Sequence, residues 1–442
     1  MRRFKWFLFG LGTQLQLFGT SLSFTELFVF GAAVFLFAGE LPHMRRNGMM
    51  PFLGVSIALV VNAVIACIAN HSPLLAVIRG MAVVCLMPCT IVVAHWMLRR
   101  NMAGFKWYLI GVALSNFLCT FIFQRTVDVV AATQGQGDVA VAETIMSGPL
   151  WWVSQIGSWA LLYPRGWYLQ CPTLLSVCLP LGLAAFSLLT TASGRSAALG
   201  ALGLAMLVLL GGKKREQIRK RVCKSFGLIC IVGVVMVAAF KFTYQTAASQ
   251  GWLGEESQKK YEKQTKGDTS VMALLLGGRM ESFCGLIACV DKPISGFGPW
   301  ARDTHGYCAE FLAKYGNTED YLKFMQNQER MGSVGLIPGH AYLTMFWLWY
   351  GIMGLVFWIY VVFVFIRYLR QDCYAVPQWY MWLAAGIPGY CWGIFFSPWG
   401  NRVPNIVFVV AVLMVRAVRQ GRQALPFGMQ KEIYEIEHQN RR

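Results

Sequence analysis

The sequence predicts an all-α, polytopic integral membrane protein of about twelve transmembrane helices with one large, partly helical segment on the outer side. Three observations predict it. Hydrophobic residues make up 56% of the 442-residue chain and charged residues only 14%, whereas a soluble domain is about a quarter charged. Apolar runs approaching the roughly 20 residues that cross a bilayer as helix recur, among them Leu53 to Ala69, Leu74 to Leu98, Trp107 to Phe123, Ser225 to Ala239 and Gly351 to Ile366. The basic residues behind the net charge of +18 stand in short clusters between those runs. The positive-inside rule explains that pattern; nucleic-acid binding does not, because no soluble face collects the charge.

The chain opens Met1-Arg2-Arg3-Phe4-Lys5 ahead of an apolar run, as a signal peptide does. Thr20 to Ser23 offers no Ala-x-Ala cleavage pattern and a second run follows at once, so the first run reads as a retained helix. Placing Arg2-Arg3, Arg45-Arg46, Arg99-Arg100, Lys213 to Lys224, Arg367 to Arg370 and Arg416 to Arg422 in the cytoplasm fixes a topology with both termini inside. That topology requires Ile145 to Tyr163 to cross, with Pro164-Arg165-Gly166 turning inside; otherwise Lys213 to Lys224, seven basic residues and one acidic, falls outside. The glycine, serines and paired tryptophans of that stretch also suit an interfacial helix.

Residues 1–243 are thus amino-terminal membrane helices, 244–339 an outer loop domain, 340–420 carboxy-terminal membrane helices, and 421–442 a polar cytoplasmic tail. From Thr243 to Ile337 the chain holds ten Lys or Arg and eleven Asp or Glu, the balance of a segment that crosses the membrane and folds in water. Gly254 to Asp268 reads as a solvated helix, and Ser270 to Val290 carries the apolar stripe of a helix lying on the membrane. Asp291-Lys292-Pro293 stops that helix, and Gly296-Phe297-Gly298-Pro299 is a turn-rich connection. Most of the thirteen cysteines lie in apolar runs; the loop holds Cys284, Cys289 and Cys308, an odd number without CxxC spacing that leaves a disulfide open.

Charged residues where a span meets the outer surface are costly to retain without a role. Arg195, in Thr191-Ala192-Ser193-Gly194-Arg195-Ser196, opens a span at its outer end. A lone arginine there serves as a snorkelling anchor, but Ser193 and Gly194 leave room for a bulky anion and direct backbone N–H groups toward it. Arg279 follows Gly277-Gly278, with Glu281 and Asp291 as neighbouring acids; its guanidinium suits either a surface ion pair or forked binding of phosphate oxygens. His340 follows Pro338-Gly339 and precedes Tyr342, Phe346, Trp347, Trp349 and Tyr350, at the level of an aromatic belt, where an imidazole takes a proton from a hydroxyl or simply marks the interface. Arg402, after Gly400-Asn401, is a further outer-edge arginine, an anchor or a ligand for substrate. Charge within the spans is sparse, with Arg79 its main representative. His305 and Cys308 lack a recurring partner at metal-ligand spacing, and no P-loop, GxSxG elbow or nucleotide fingerprint is present, so neither a metal nor another cofactor is expected.

The order Ser193-Gly194-Arg195, Gly278-Arg279, Asp291-Lys292-Pro293-Ile294-Ser295-Gly296-Phe297-Gly298-Pro299, then His340-Ala341 ahead of Gly351-Ile352-Met353-Gly354 resembles the O-antigen ligase and polymerase superfamily. The resemblance covers Cys171 to Ile366 and implies a metal-independent glycosyltransferase of GT-C type in the bacterial inner membrane, active on its periplasmic face. Such a protein moves a glycan from undecaprenyl diphosphate to lipid A core or to a growing polysaccharide. The resemblance makes Arg195, Arg279 and His340 catalytic and puts Ser193, Gly194, Glu281 and Arg402 around the substrate. Ala341 stands where the ligase branch often carries Asn, Ser or Gln, which leaves ligase and polymerase both open. A polysaccharide transporter or flippase is the rival from another class; it calls for charge deep within the spans.

Overall fold

A computed structural model describes residues 2–13, 22–118, 283–315, 336–339, 341–372, 381–396 and 402–421, with short pieces at 15, 246–247, 249–252, 258 and 326. These form helices α1 (Arg2–Leu11), α2 (Phe24–Arg46), α3 (Met50–Ala69), α4 (Leu74–Arg100), α5 (Phe105–Phe117), α6 (283–291), α7 (Tyr307–Tyr315), α8 (Tyr342–Arg367), α9 (Met381–Phe396) and α10 (Arg402–Arg419). One antiparallel β-bridge pairs Arg302 with Leu336. The span from Ile145 to Tyr163, the basic cluster Lys213 to Lys224 and the tail beyond 421 lie outside the described residues.

Among the described residues four stretches are long and apolar enough, by length and composition, to cross a membrane: α2, α3, α4 and Tyr342–Asp372. Their outward faces are apolar, with Phe35 87% and Ile68 69% exposed, which suits lipid and not water. The chain is an all-α membrane protein.

Local sequence sets the helix ends. Ser23 caps α2 by accepting from the N–H of Glu26, whose carboxylate accepts from the N–H of Ser23 at 2.8 Å, a reciprocal capping box. Pro51 opens α3, where a missing N–H costs nothing. Helix α4 is the central post and packs against α2, α3 and α10. Helices α1 and α5 run parallel, since Trp6 abuts Gly104 and Gly10 abuts Tyr108 and Val112. Helix α1 opens on the basic pair Arg2-Arg3 and α5 follows Arg99-Arg100, so the shared direction is what the charge rule asks of two helices leaving the same side. As described, α1 is ten residues, about 15 Å, short of a full crossing.

Helix α8 is not one span. Gly351 has φ 62° and ψ −154°, and beyond it the chain folds back. The Tyr342 ring lies 5.2 Å from Trp358 and Phe346 5.5 Å from Trp358, contacts that a straight helix places roughly 18–24 Å apart. The two arms, 342–350 and 352–367, form a tight hairpin, with the Phe346 carbonyl against Gly354. The second arm runs down α3, Phe52 meeting Phe357 at 5.7 Å and Tyr360 at 6.0 Å. The aromatic run expected at the interface therefore packs inside the bundle: Phe346 and Tyr350 are fully buried and Trp349 nearly so.

Candidate functional site

The described part of the segment 244–339 sits at one end of the bundle, where α3 turns into α4, away from Arg99 and Arg100. The helix stop Asp291-Lys292-Pro293 falls where the sequence puts it: α6 ends at Asp291. The turn-rich segment that follows is built on glycine, Gly296 at φ 71° and Gly298 at φ 81°, a region that side chains with a Cβ rarely adopt.

This segment plugs the break in α8. Breaking a helix in an apolar setting strands backbone groups that need partners, and here the carbonyls of Leu348, Trp349 and Tyr350 and the N–H of Ile352 find them. Phe297 N–H donates to the Leu348 carbonyl at 2.7 Å, Gly298 N–H to Trp349 at 3.1 Å, and Ile352 N–H to Ile294 at 3.1 Å. The Asn62 side-chain amide, from the middle of α3, donates to the carbonyls of Tyr350 and Ile294. Asn70, at the end of α3, donates to Gly296 at 3.0 Å and accepts from Lys292 Nζ at 2.7 Å. Pro299 lies on Gly80 of α4, where a Cβ would meet its ring at 2.1 Å, and the Tyr350 hydroxyl donates to the Gly80 carbonyl at 3.1 Å. Trp300 packs on Trp349, the rings tilted by 34° with centroids 4.6 Å apart.

The loop's remaining pieces frame the approach to α8. Asp303 accepts from the N–H groups of Tyr307 and Cys308 at 2.8 and 3.0 Å and so starts α7. The Tyr307 hydroxyl donates to Asp291 at 2.6 Å; burial first, then that carboxylate, pushes its phenol above the ordinary tyrosine range. Ile337 N–H donates to Ala301 at 2.9 Å, and the Pro338 carbonyl lies against Gly285 of α6. Gly339 and Ala341 are both buried.

Of the candidate residues, Arg195, Arg279, His340, Ser193, Gly194 and Glu281 lie outside the described residues. Arg402 lies within them: its guanidinium is 3.5 Å from the Glu26 carboxylate, both largely buried, so it ties α10 to the start of α2. Charge inside the spans is found elsewhere than expected. Arg79 is exposed, whereas Glu40 and His95 are buried at 3% and 0% exposure. Arg99 donates to Glu40 at 2.6 and 3.2 Å, His95 Nδ1 is 3.0 Å from Glu40, and Asn47 Nδ2 is 2.9 Å from His95 Nε2. An acid in the apolar run of α2 is the sequence signal for this cluster.

No protein-family model matches the chain, and no curated protein is significantly similar to it.

Proposed function

We propose that this protein transfers a glycan from undecaprenyl diphosphate to a hydroxyl acceptor, lipid A core or a growing polysaccharide, on the periplasmic face of the bacterial inner membrane. The observation that carries the reading is the order of Arg195, Arg279 and His340 around the Asp291-to-Pro299 segment. Two guanidiniums stabilise the charge that develops on the departing lipid diphosphate as its bond to the sugar breaks. His340 takes the proton of the acceptor hydroxyl as its oxygen bonds to the sugar. The diphosphate linkage supplies the driving force, so neither nucleotide nor metal enters the step. The packing of the Asp291-to-Pro299 segment against the break in α8 supports the reading, because it ties that segment to the helix that His340 precedes.

Alanine at Arg195, Arg279 or His340 is expected to abolish product with normal protein levels, read by gel analysis of surface polysaccharide; three unchanged profiles would sink the mechanism. Loss of the gene leaves lipid A core uncapped if the protein is a ligase and reduces polymer to single repeats if it is a polymerase. A transporter or flippase draws support from the buried Glu40 and His95. These are engaged with Arg99 and Asn47 rather than displayed to a cavity, and conversion of lipid-linked glycan by purified protein without a gradient would exclude transport.

A further inference from the structure

Three cysteines in the outer loop left pairing undecided by sequence, and the structure separates them into two and one. Cys289 belongs to the main core and its thiol donates to the Thr344 carbonyl at 3.9 Å. Cys284 and Cys308 instead form, with Phe311, a small buried cluster of their own, each cysteine 1% exposed. Their neighbours fix how the two helices meet: Phe283 of α6 stacks on Phe311 of α7 with centroids 6.1 Å apart and planes 2° from parallel. Cys284 follows Phe283, and Cys308 lies one helical turn before Phe311, on the same face of α7. Asp303 holds the Cys308 backbone at the start of α7. Among the described residues no three metal-ligating side chains converge.

We propose that Cys284 and Cys308 are joined by a disulfide in the mature protein, a staple between α6 and α7. The inference rests on the outer placement of the loop in the functional reading above, because disulfides persist only in an oxidising compartment. The oxidant is a protein disulfide of that compartment. The first thiolate attacks it and releases one of its sulfurs as thiolate; the second then attacks the mixed disulfide, releases the other sulfur, and leaves the oxidant as a dithiol. Two protons and two electrons leave the pair. Burial means that this precedes closure of the loop and that the finished bond resists reductant while the protein is folded.

The test uses the full-length protein in its own membranes, denatured in a maleimide of added mass with and without prior reduction, followed by mass spectrometry of the unreduced digest. Two more adducts are expected after reduction than before, together with a cross-linked peptide pair holding Cys284 and Cys308. The difference is expected to persist in Cys289→Ser and to vanish in Cys284→Ser and Cys308→Ser. Equal adduct counts with and without reduction overturn the pairing. An Ile294→Cys variant, whose parent side chain is 72% exposed, separates the two possible failures: labelling of intact spheroplasts by a membrane-impermeant maleimide with equal adduct counts overturns the staple alone, and absence of labelling overturns the outer placement.

Discussion

The backbone N–H of Ile352 donates to the carbonyl of Ile294 at 3.1 Å, joining the second arm of α8 to the loop segment lodged in its break. The bond exists because Gly351 turns the chain at φ 62°, ψ −154°, a region essentially restricted to glycine and worth about 1–3 kcal/mol of strain for other residues. Gly351→Ala adds a clash, its Cβ falling 1.8 Å from the Ile294 carbonyl. It is expected to lower folded protein in membranes severely. Gly421→Ala has a similar φ of 66° but open space around the new Cβ, and should cost only the strain. Equal thermal stability of the two variants in detergent would show that the loop contact contributes nothing.

Asn62 tests the same junction from α3. Removing its amide leaves the Tyr350 and Ile294 carbonyls without that donor in an apolar setting, a cost of about 1–3 kcal/mol. Asn62→Asp keeps the shape but turns a donor into an acceptor facing two carbonyls. It should be less stable than Asn62→Ala in a thermal unfolding assay; the reverse order would show that shape, not donation, matters.

How far the sequence carries this fold depends on which property each element uses. Helices α3 and α4 begin and end within about three residues of the apolar runs that predict them, because lipid exposure is written directly into composition. The stop at Asp291 and the turns at Gly296 and Gly298 are equally legible, since Pro and Gly act locally. The hairpin at Gly351 is not: Tyr342 to Ile366 carries no charge and, Thr344 apart, reads as one apolar run, and only the long-range packing of Phe346 against Gly354 tells one span from two arms. Nor does composition say that Arg79 is exposed while Glu40 is enclosed, because that depends on which face of each helix meets a neighbour. The candidate site is legible as a motif order, and of its residues Arg402 alone is placed, paired with Glu26.

The Glu40, His95 and Arg99 cluster gives a charge-specific prediction. Removing one member of a buried pair leaves its partner uncompensated, at about 3–5 kcal/mol. Glu40→Ala should therefore be strongly destabilising. Glu40→Gln with Arg99→Gln should recover much of the loss by removing both charges while keeping hydrogen-bonding groups. A double-mutant cycle read by thermal midpoint in detergent checks this; additive losses would mean that the two residues stabilise the α2–α4 contact independently.

The α1–α5 contact rests on backbone proximity instead of charge. A Cβ on Gly10 would stand 2.0 Å from the Tyr108 carbonyl, and one on Gly111 would stand 2.3 Å from the Phe7 carbonyl, so both helices approach as closely as small residues permit. Gly10→Leu cannot be absorbed by rotamer change, because the atoms it meets are backbone. It should force α1 away from α5 and expose the aromatic cluster of Trp6, Phe9, Phe105 and Tyr108, whose rings lie 5.4 to 6.5 Å apart. Gly31→Leu, on the open face of α2 with nothing within 4 Å, adds the same side chain without a neighbour and should be close to neutral. Limited proteolysis of the amino terminus in membranes distinguishes them: faster cleavage in Gly10→Leu alone is expected, and equal protection in both variants would show that α1 is held by something other than this close contact.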